Sequence, residues 1–444
     1  MEALGVPSIV IVTEKFVPLA DTIAMTVGRT DLTKVVIPHP FGGLPEEEIR
    51  GRAVLTAARL ADVLRQPAPA ESSDGQSRAD PPQLTNPPLL ELSVASDSTL
   101  SWALNDLGIT DGLPITCPTP ERVDAMLGYS ARDAAEETGP LPPSWNSLTI
   151  RSAAANAVMA GCRPAHFPVL MQVLQAMLEV PEFNLYGIQT TTHPLGPMLM
   201  ISGPLAGELG LASGAGALGP GWPANLSLGR AIRLLLMNGG GARPGGTDAA
   251  TMGQPGKIAC CFAENEADSP WEPYRTALGF DSSVSTFTVV GAEAPHNISD
   301  HGSTDADGIL RTMAGTLANM GHNNFYWLGD IFVLIGPEHA ASLAREGLSR
   351  ADVQLELHRR ARVPAARMSP GNFEHIQSWH VETEHIVDDA GLVPLTRTPQ
   401  DINVVVVGGP GKHSMWVPTW FRSITRPIKK SSGEPAQSAE DLQG

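Results

Sequence analysis

The chain has 444 residues, a formal net charge of −17 and only 5% aromatic residues, against 44 glycines and 39 prolines. Such acidity argues against nucleic acid or anionic membrane as a partner, since both need basic surface. The Gly and Pro content favours a loop-rich α/β protein over a helical bundle or an all-β sandwich. No apolar run approaches the roughly 18 residues needed to span a bilayer. The opening MEALGVPSIVIVT has neither the basic region nor the cleavage site of a secretory signal, so a cytoplasmic location is expected.

Residues 8–13 (SIVIVT) are a continuous β-branched run of the kind found in a parallel strand covered on both faces. A helix over 18–27, a second strand over 34–38 (KVVIP) and a second helix over 45–64 complete a parallel-sheet βαβα fragment, residues 1–66. In the second helix Ile49, Ala53, Leu60 and Val63 fall at helical spacing. A unit of this size is marginal even when complete, so it either docks on the remainder or lacks an upstream strand. Residues 67–88 (PAPAESSDGQSRADPPQLTNPP) are polar and proline-rich and read as a disordered linker.

A larger α/β domain with glycine-rich loops is expected over 89–426, followed by a disordered tail over 427–444. Its predicted helices cover 119–127, with Thr119 as N-cap and Pro120 at N1, then 151–160, 165–178, 225–237, a segment capped by Thr304 that runs to about 320, 337–345 and 350–360. Its predicted strands cover 198–202, 257–263, 284–291, 331–335 and 402–407. No internal repeat is evident.

Residues 189–257 carry the highest density of glycine loops, and backbone that permissive usually comes close to a ligand or to another segment. Gly214, Gly216 and Gly219 match a G-x-G-x-x-G pattern. No strand precedes them, however, and Pro220 and Pro223 interrupt a helix behind them, so the dinucleotide fingerprint does not apply. Asn225 is the expected N-cap of the following helix, whose free N–H groups would receive an anion. Leu228, Ile232, Leu235 and Leu236 form its buried stripe. Arg230 and Arg233 share a flank, where they either pair with carboxylates or reach a ligand.

Further candidates surround a small anionic molecule. The loop 408–414 offers Lys412, His413 and Ser414 beside flexible glycines, a cradle for an anion; it is no Walker A loop, because Val406 stands where that motif needs glycine. His193, within Thr-Thr-Thr-His-Pro, has hydroxyls beside its imidazole and suits a proton relay. Glu264 and Asn265 follow a predicted strand at its carboxyl end, where α/β folds place ligand groups. His193 and His413 are thus the catalytic candidates. Gly214, Gly216, Gly219, Asn225, Arg230, Glu264, Asn265, Lys412 and Ser414 are the ligand-binding ones. His193, His296 and His322 keep a metal-dependent lyase or hydrolase as an alternative, although no spacing is diagnostic of a metal. No motif identifies a cofactor. The four cysteines, Cys117, Cys162, Cys260 and Cys261, show neither CxxC nor zinc spacing and read as inert thiols.

These segments resemble the UGSC-like family, bacterial proteins named for a selenocysteine-Gly-Ser-Cys motif and many of them described as selenoproteins. GVPSIVIVTEKF, GRTDL and VIPHPFGGLP look like the part of the UGSC domain downstream of that motif. NAVMAGCRPAHFPV, TTTHP, SGAGALGPGW, NGGGARPG and AENEADSPWEP, within residues 156–273, look like its companion region, as do GAEAPHN, GPEHA and VVGGPGKHS. The resemblance implies redox or thiol-type chemistry. In relatives the motif precedes the strand that here is 8–13, and this sequence begins at Met1 without it, so the expectation is either that the gene model starts late or that this member has lost the reactive thiol or selenol. The expectation is therefore an uncharacterised small-molecule enzyme lacking the family's reactive residue, or a non-catalytic binding or scaffold protein derived from one.

Overall fold

Successive side chains of a strand point to opposite faces, and in the central strands of this protein both faces are apolar. The computed structural model describes residues 8–26, 32–41, 44–65, 97–379 and 387–443. Its N-terminal fragment has the expected βαβα order: β1 (Val10–Thr13), α1 (Val17–Thr26), β2 (Lys34–Ile37) and α2 (Glu46–Arg65). β1 and β2 pair in parallel, Val10 opposite Lys34. Val12, Ala24, Val35 and Ile37 are buried. α2 buries no residue fully; of the apolar face expected of it, Ile49, Leu60 and Val63 are partly buried and Ala53 is exposed. The expected linker, 67–88, lies outside the described residues.

α3 (Asp97–Asp106), α4 (Pro120–Leu127), the hairpin β3 (Glu137–Leu141) and β4 (Asn146–Thr149), α5 (Ile150–Ala160), α6 (Phe167–Glu179) and α7 (Leu185–Thr190) come next. Then follow β5 (Gly196–Ser202), α8 (Leu205–Glu208), α9 (Pro223–Asn238), β6 (Cys261–Ala263), α10 (Tyr274–Ala277), β7 (Thr286–Ala292), β8 (His296–Ser299) and α11 (Ala306–Leu317). The chain continues through α12 (Asn324–Trp327), β9 (Ile331–Ile335), α13 (Pro337–Arg345), α14 (Arg350–Arg360), the hairpin β10 (Arg362–Pro364) and β11 (Leu392–Pro394) with α15 (Pro370–Trp379) between its strands, β12 (Ile402–Val406), β13 (His413–Val417) and β14 (Thr419–Pro427).

Two four-stranded mixed sheets dominate, in the orders β14-β7-β5-β6 and β12-β9-β13-β8. Met198 and Met200 of β5, Val290 of β7, Phe332 and Leu334 of β9 and Val405 of β12 meet in one apolar layer between the sheets. The alternate residues face outward. Leu199, Ile201, Phe287 and Val289 pack under α5, α6 and α9, and Ile331, Val333, Val404 and Val406 pack under α11, α13 and α14. The α/β class expected from composition thus takes the form of helices, sheet, sheet, helices.

The sheets share one topology, a repetition of fold that the sequence does not show. β5 and β6 run parallel, joined through α8 and α9, with β7 antiparallel on the other side of β5. β9 and β12 run parallel, joined through α13 and α14, with β13 antiparallel on the other side of β9. Each sheet is completed by a strand from the other half. β7 leaves the first sheet to continue as β8 in the second, and β13 leaves the second to continue as β14 in the first. At the crossing, Glu293 N donates to Pro418 O at 2.9 Å. Topology repeats here without a residue-level repeat because only the in-out alternation, not side-chain identity, is needed to rebuild it.

Four boundaries differ from expectation. α9 begins at Pro223 with Trp222 as N-cap, because proline suits the first helical turn; Asn225 therefore lies inside the helix. Asp305, not Thr304, caps α11, its carboxylate accepting from Gly308 N. The strand expected over 257–263 shortens to Cys261–Ala263, since 255–257 form a 3-10 turn. The end of the chain, expected to be disordered, packs down: Ile428, Ala436 and Leu442 are buried against the helices of the first sheet.

The inter-sheet layer sets the energetic expectation. Phe332 is fully buried there, so Phe332→Ala should cost about 3–5 kcal/mol in a denaturant titration. A loss no larger than that of the exposed control Leu355→Ala would mean the sheets are not tightly packed on each other.

Candidate functional site

The parallel pairs β5–β6 and β9–β12 end side by side. Asn265 N donates to Val406 O at 2.8 Å, and Gly408 N donates to Ser213 O at 2.8 Å. The glycine loop lies on the β12 turn closely enough that a Cβ at Gly409 would stand 2.7 Å from the Ala215 Cβ. Asn225 holds that loop: its Oδ1 accepts from Ala212 N at 2.9 Å, and its Nδ2 donates to Ala212 O and Ala217 O. The loops from β5 and β6 enclose a cleft of about 260 Å³, lined by Gly203, Pro204, Ser213, Glu264, Asn265 and Glu266 among others. It opens at the carboxyl ends of parallel strands, where α/β sheets place ligands.

Glu264 is the chemically distinctive group in the cleft. It is 5% exposed. Its Oε2 is hydrogen-bonded by Ser202 Oγ, its Oε1 accepts from Tyr274 N at 2.7 Å, and Arg350 Nη2 stands 3.7 Å away. Burial nonetheless raises its carboxyl above the ordinary 4.5, outweighing those bonds. Ser202 Oγ also lies 3.3 Å from Glu266 Oε1, so one hydroxyl stands between two carboxylates. Glu266 is paired with Arg275. Arg350 is buried, donates to Glu272 O at 2.6 Å, and leaves its Nε and Nη1 without a partner. Asn265 ties the halves together, donating from Nδ2 to Gly408 O and Asp268 Oδ2, both at 2.9 Å.

Of the residues singled out from sequence, Glu264 and Asn265 therefore line the cleft. Gly214 follows its wall residue Ser213, Gly216 and Gly219 shape the outer part of the same loop, and Asn225 supports the loop rather than capping a helix. Others lie elsewhere. Arg230 is held by Asp111 through Nε–Oδ2 and Nη2–Oδ1 contacts of 2.7 Å, which settles the sequence alternatives for it in favour of a carboxylate pair. Arg233 likewise pairs with Asp248 at 3.0 Å. Lys412 donates to Ser303 O at 3.1 Å.

His413 and Ser414 belong to β13 rather than to a loop. His413 is exposed beside Asn297 and stacks edge-on to His301 at 4.7 Å. Ser414 is buried, donates to His339 Nδ1 at 2.9 Å and accepts from Gly336 N at 3.1 Å; both of its hydrogen-bonding functions are thereby used in the core. His193 precedes β5, whose seven residues separate it from the cleft by about 20 Å. Its ring sits 5.1 Å from Trp420 and 6.4 Å from Tyr326, and burial lowers its pKa.

Sequence reading missed Ser202, Glu266, Arg275 and Arg350. Glu266 stood two residues from Glu264 and could have been found by proximity. Arg350 arrives from the other half of the domain and carried no local signal. In the second half Val407, whose N–H donates to Ile335 O as that of Glu264 does to Ile201 O, occupies the place of Glu264. Only one half carries the carboxylates.

Among the described residues no group of three or more His, Cys, Asp or Glu is placed to hold a metal ion, and no helix is long and apolar enough to cross a membrane. Burial pushes the thiols of Cys162 and Cys260 up to about 12, and that of Cys261 well above the usual range. None of the four cysteines lines the cleft.

Two tests follow from this geometry. A carboxyl whose folded pKa is raised contributes stability that is fully present below 4.5 and is lost as pH rises through the folded value. As pH rises above 4.5 the wild type should therefore lose stability relative to Glu264→Gln, as read by denaturation midpoints; a pH-independent gap would refute the raised carboxyl. With the thiol pKa values of Cys162, Cys260 and Cys261 raised by burial and no cysteine lining the cleft, the 444-residue chain should show no efficient dithiol-dependent reduction of disulfide or peroxide. Robust turnover abolished by Cys117→Ser would overturn that expectation.

No curated protein and no solved structure matches the chain. Residues 1–66 match the family model described as UGSC family. The likeness drawn from residues 156–273 lies outside the matched residues. Over its N-terminal α/β segment, this chain is UGSC-like.

Proposed function

We propose that the chain is a small-molecule enzyme in which Glu264 transfers a proton to or from a ligand held in the cleft at the carboxyl ends of β5 and β6. One observation carries this reading: Glu264 is a buried carboxyl, raised above its ordinary range, that lines an open cleft and shares the Ser202 hydroxyl with a second carboxylate. An upward shift moves a carboxyl in the direction that general acid–base catalysis at neutral pH requires. Ser202 positions it, and the pairing with Arg275 holds the Glu266 carboxylate in place.

The lining also bears on substrate class. Glu264 and Glu266 face the cleft, whereas the nearby cations Arg275 and Arg350 are not among its lining residues and donate to Glu266 and to the Glu272 carbonyl. A ligand offering N–H or O–H donors, or a positive charge, is favoured over the anionic metabolite expected from the glycine loop. Thiol-type redox chemistry has less support, because none of the four cysteines lines the cleft.

The test is a thermal-shift and calorimetric panel of amines, polyols and carboxylates. Amines or polyols should stabilise the wild type, and Glu264→Gln should weaken that binding by about tenfold or more. The Lys412→Ala/His413→Ala double variant should bind as wild type does. Stabilisation by amines or polyols that survives in Glu264→Gln, or is lost in the double variant, would remove Glu264 from the site.

A further inference from the structure

A second cavity, of about 380 Å³, lies where the chain enters β14 and shares no residue with the Glu264 cleft. Three of its wall residues hold backbone conformations that side chains rarely adopt: Asn184 (φ 51°), Leu328 (φ 48°) and Phe421 (φ 60°). Only one other non-glycine residue among those described, Trp145, has positive φ. Such conformations persist when surrounding structure enforces them, and they cluster at ligand sites. The enforcing contacts are present. Asn184 caps α7 by accepting from Gly187 N, Leu328 N donates to Asn324 O at 2.7 Å, and Phe421 sits in the bulge of β14 with its carbonyl accepting from Asp330 N at 2.9 Å.

The bulge projects Arg422 into the wall. Its Nη1 donates to Asp330 Oδ1 at 2.8 Å and to Asp401, while its Nε and Nη2 have no hydrogen-bond partner among the described residues. The two aspartates are themselves buried and saturated. Asp330 Oδ2 accepts from Ser423 N and Oγ, and Asp401 Oδ2 accepts from Thr398 N. They fix the guanidinium in place and leave its other edge free. Arg397, on the same wall, is exposed and has no hydrogen bond or ion pair among the described residues.

We propose that this cavity binds a small carboxylate, gripped between Arg397 and the free edge of Arg422. A planar guanidinium fork matches a carboxylate with two parallel hydrogen bonds, a geometry that a tetrahedral oxyanion meets less well. The volume is within the range of metabolite pockets, roughly 300–1,000 Å³. Glu182, also on the wall, repels a second negative charge and limits the ligand to a singly charged or zwitterionic carboxylate.

The experiment measures thermal shift and calorimetry on the full chain with propionate, L-glutamine, citrate and inorganic phosphate. Propionate and glutamine should stabilise the protein, and citrate and phosphate less. Arg397→Ala should keep the unliganded melting temperature, since Arg397 has no hydrogen bond or ion pair among the described residues, yet abolish the stabilisation. Arg397→Lys, which keeps the charge but not the fork, should weaken binding by about tenfold. Absence of any propionate or glutamine effect, an equal effect in Arg397→Ala, or stronger binding of phosphate than of propionate would each overturn the assignment. Glu264→Gln should bind propionate as wild type does, so failure here is separable from failure of the acid–base reading.

Discussion

Everything in the larger part of this protein depends on two sheets meeting face to face through Met198, Met200, Phe332, Leu334 and Val405. Each central strand is covered twice, by the opposing sheet on one face and by helices on the other. This double coverage explains why the strands read as continuous apolar runs, the pattern usually associated with buried parallel strands. It also leaves the strand ends as the natural places for polar chemistry. The Glu264 cleft occupies one such end, and the cavity beside Arg422 lies where β14 begins.

Strand exchange converts two similar halves into one unit. Because β8 belongs to the first half by sequence and to the second sheet by pairing, and β14 the reverse, neither sheet is complete without the other half. The arrangement also builds the sites. Arg350 from the second half stands 3.7 Å from Glu264 of the first, and Asn265 hydrogen-bonds to Val406 and Gly408 across the seam. The positive φ of Phe421 and the bulge that directs Arg422 into its cavity occur just after the chain crosses between sheets.

The halves differ in chemistry while sharing a topology. Where the first half ends its crossover strand in Glu264 and Asn265, the second ends in Val407 and Gly408. A buried carboxylate at one position and an aliphatic side chain at its counterpart are consistent with a single reactive cleft. The glycine at 409 serves the close passage of the neighbouring loop, and Gly408 takes a positive φ of 100°.

The sequence by itself determined the α/β class, the βαβα order of the N-terminal fragment and most helix and strand cores, because these follow from local periodicity, caps and proline placement. It also pointed to Glu264, since a carboxylate directly after a buried strand is conspicuous in one dimension. It could not determine which polar residues meet. Arg230 met Asp111, Ser414 met His339, and His193 ended a full strand length from Glu264, each through contacts between segments distant in the chain. Only the tertiary structure decided those pairings, because burial, and the need for every buried polar group to find a partner, is a property of packed layers. The repeat was hidden for the same reason: in-out alternation can be kept by many different sequences, and it becomes visible only when the strands are seen side by side.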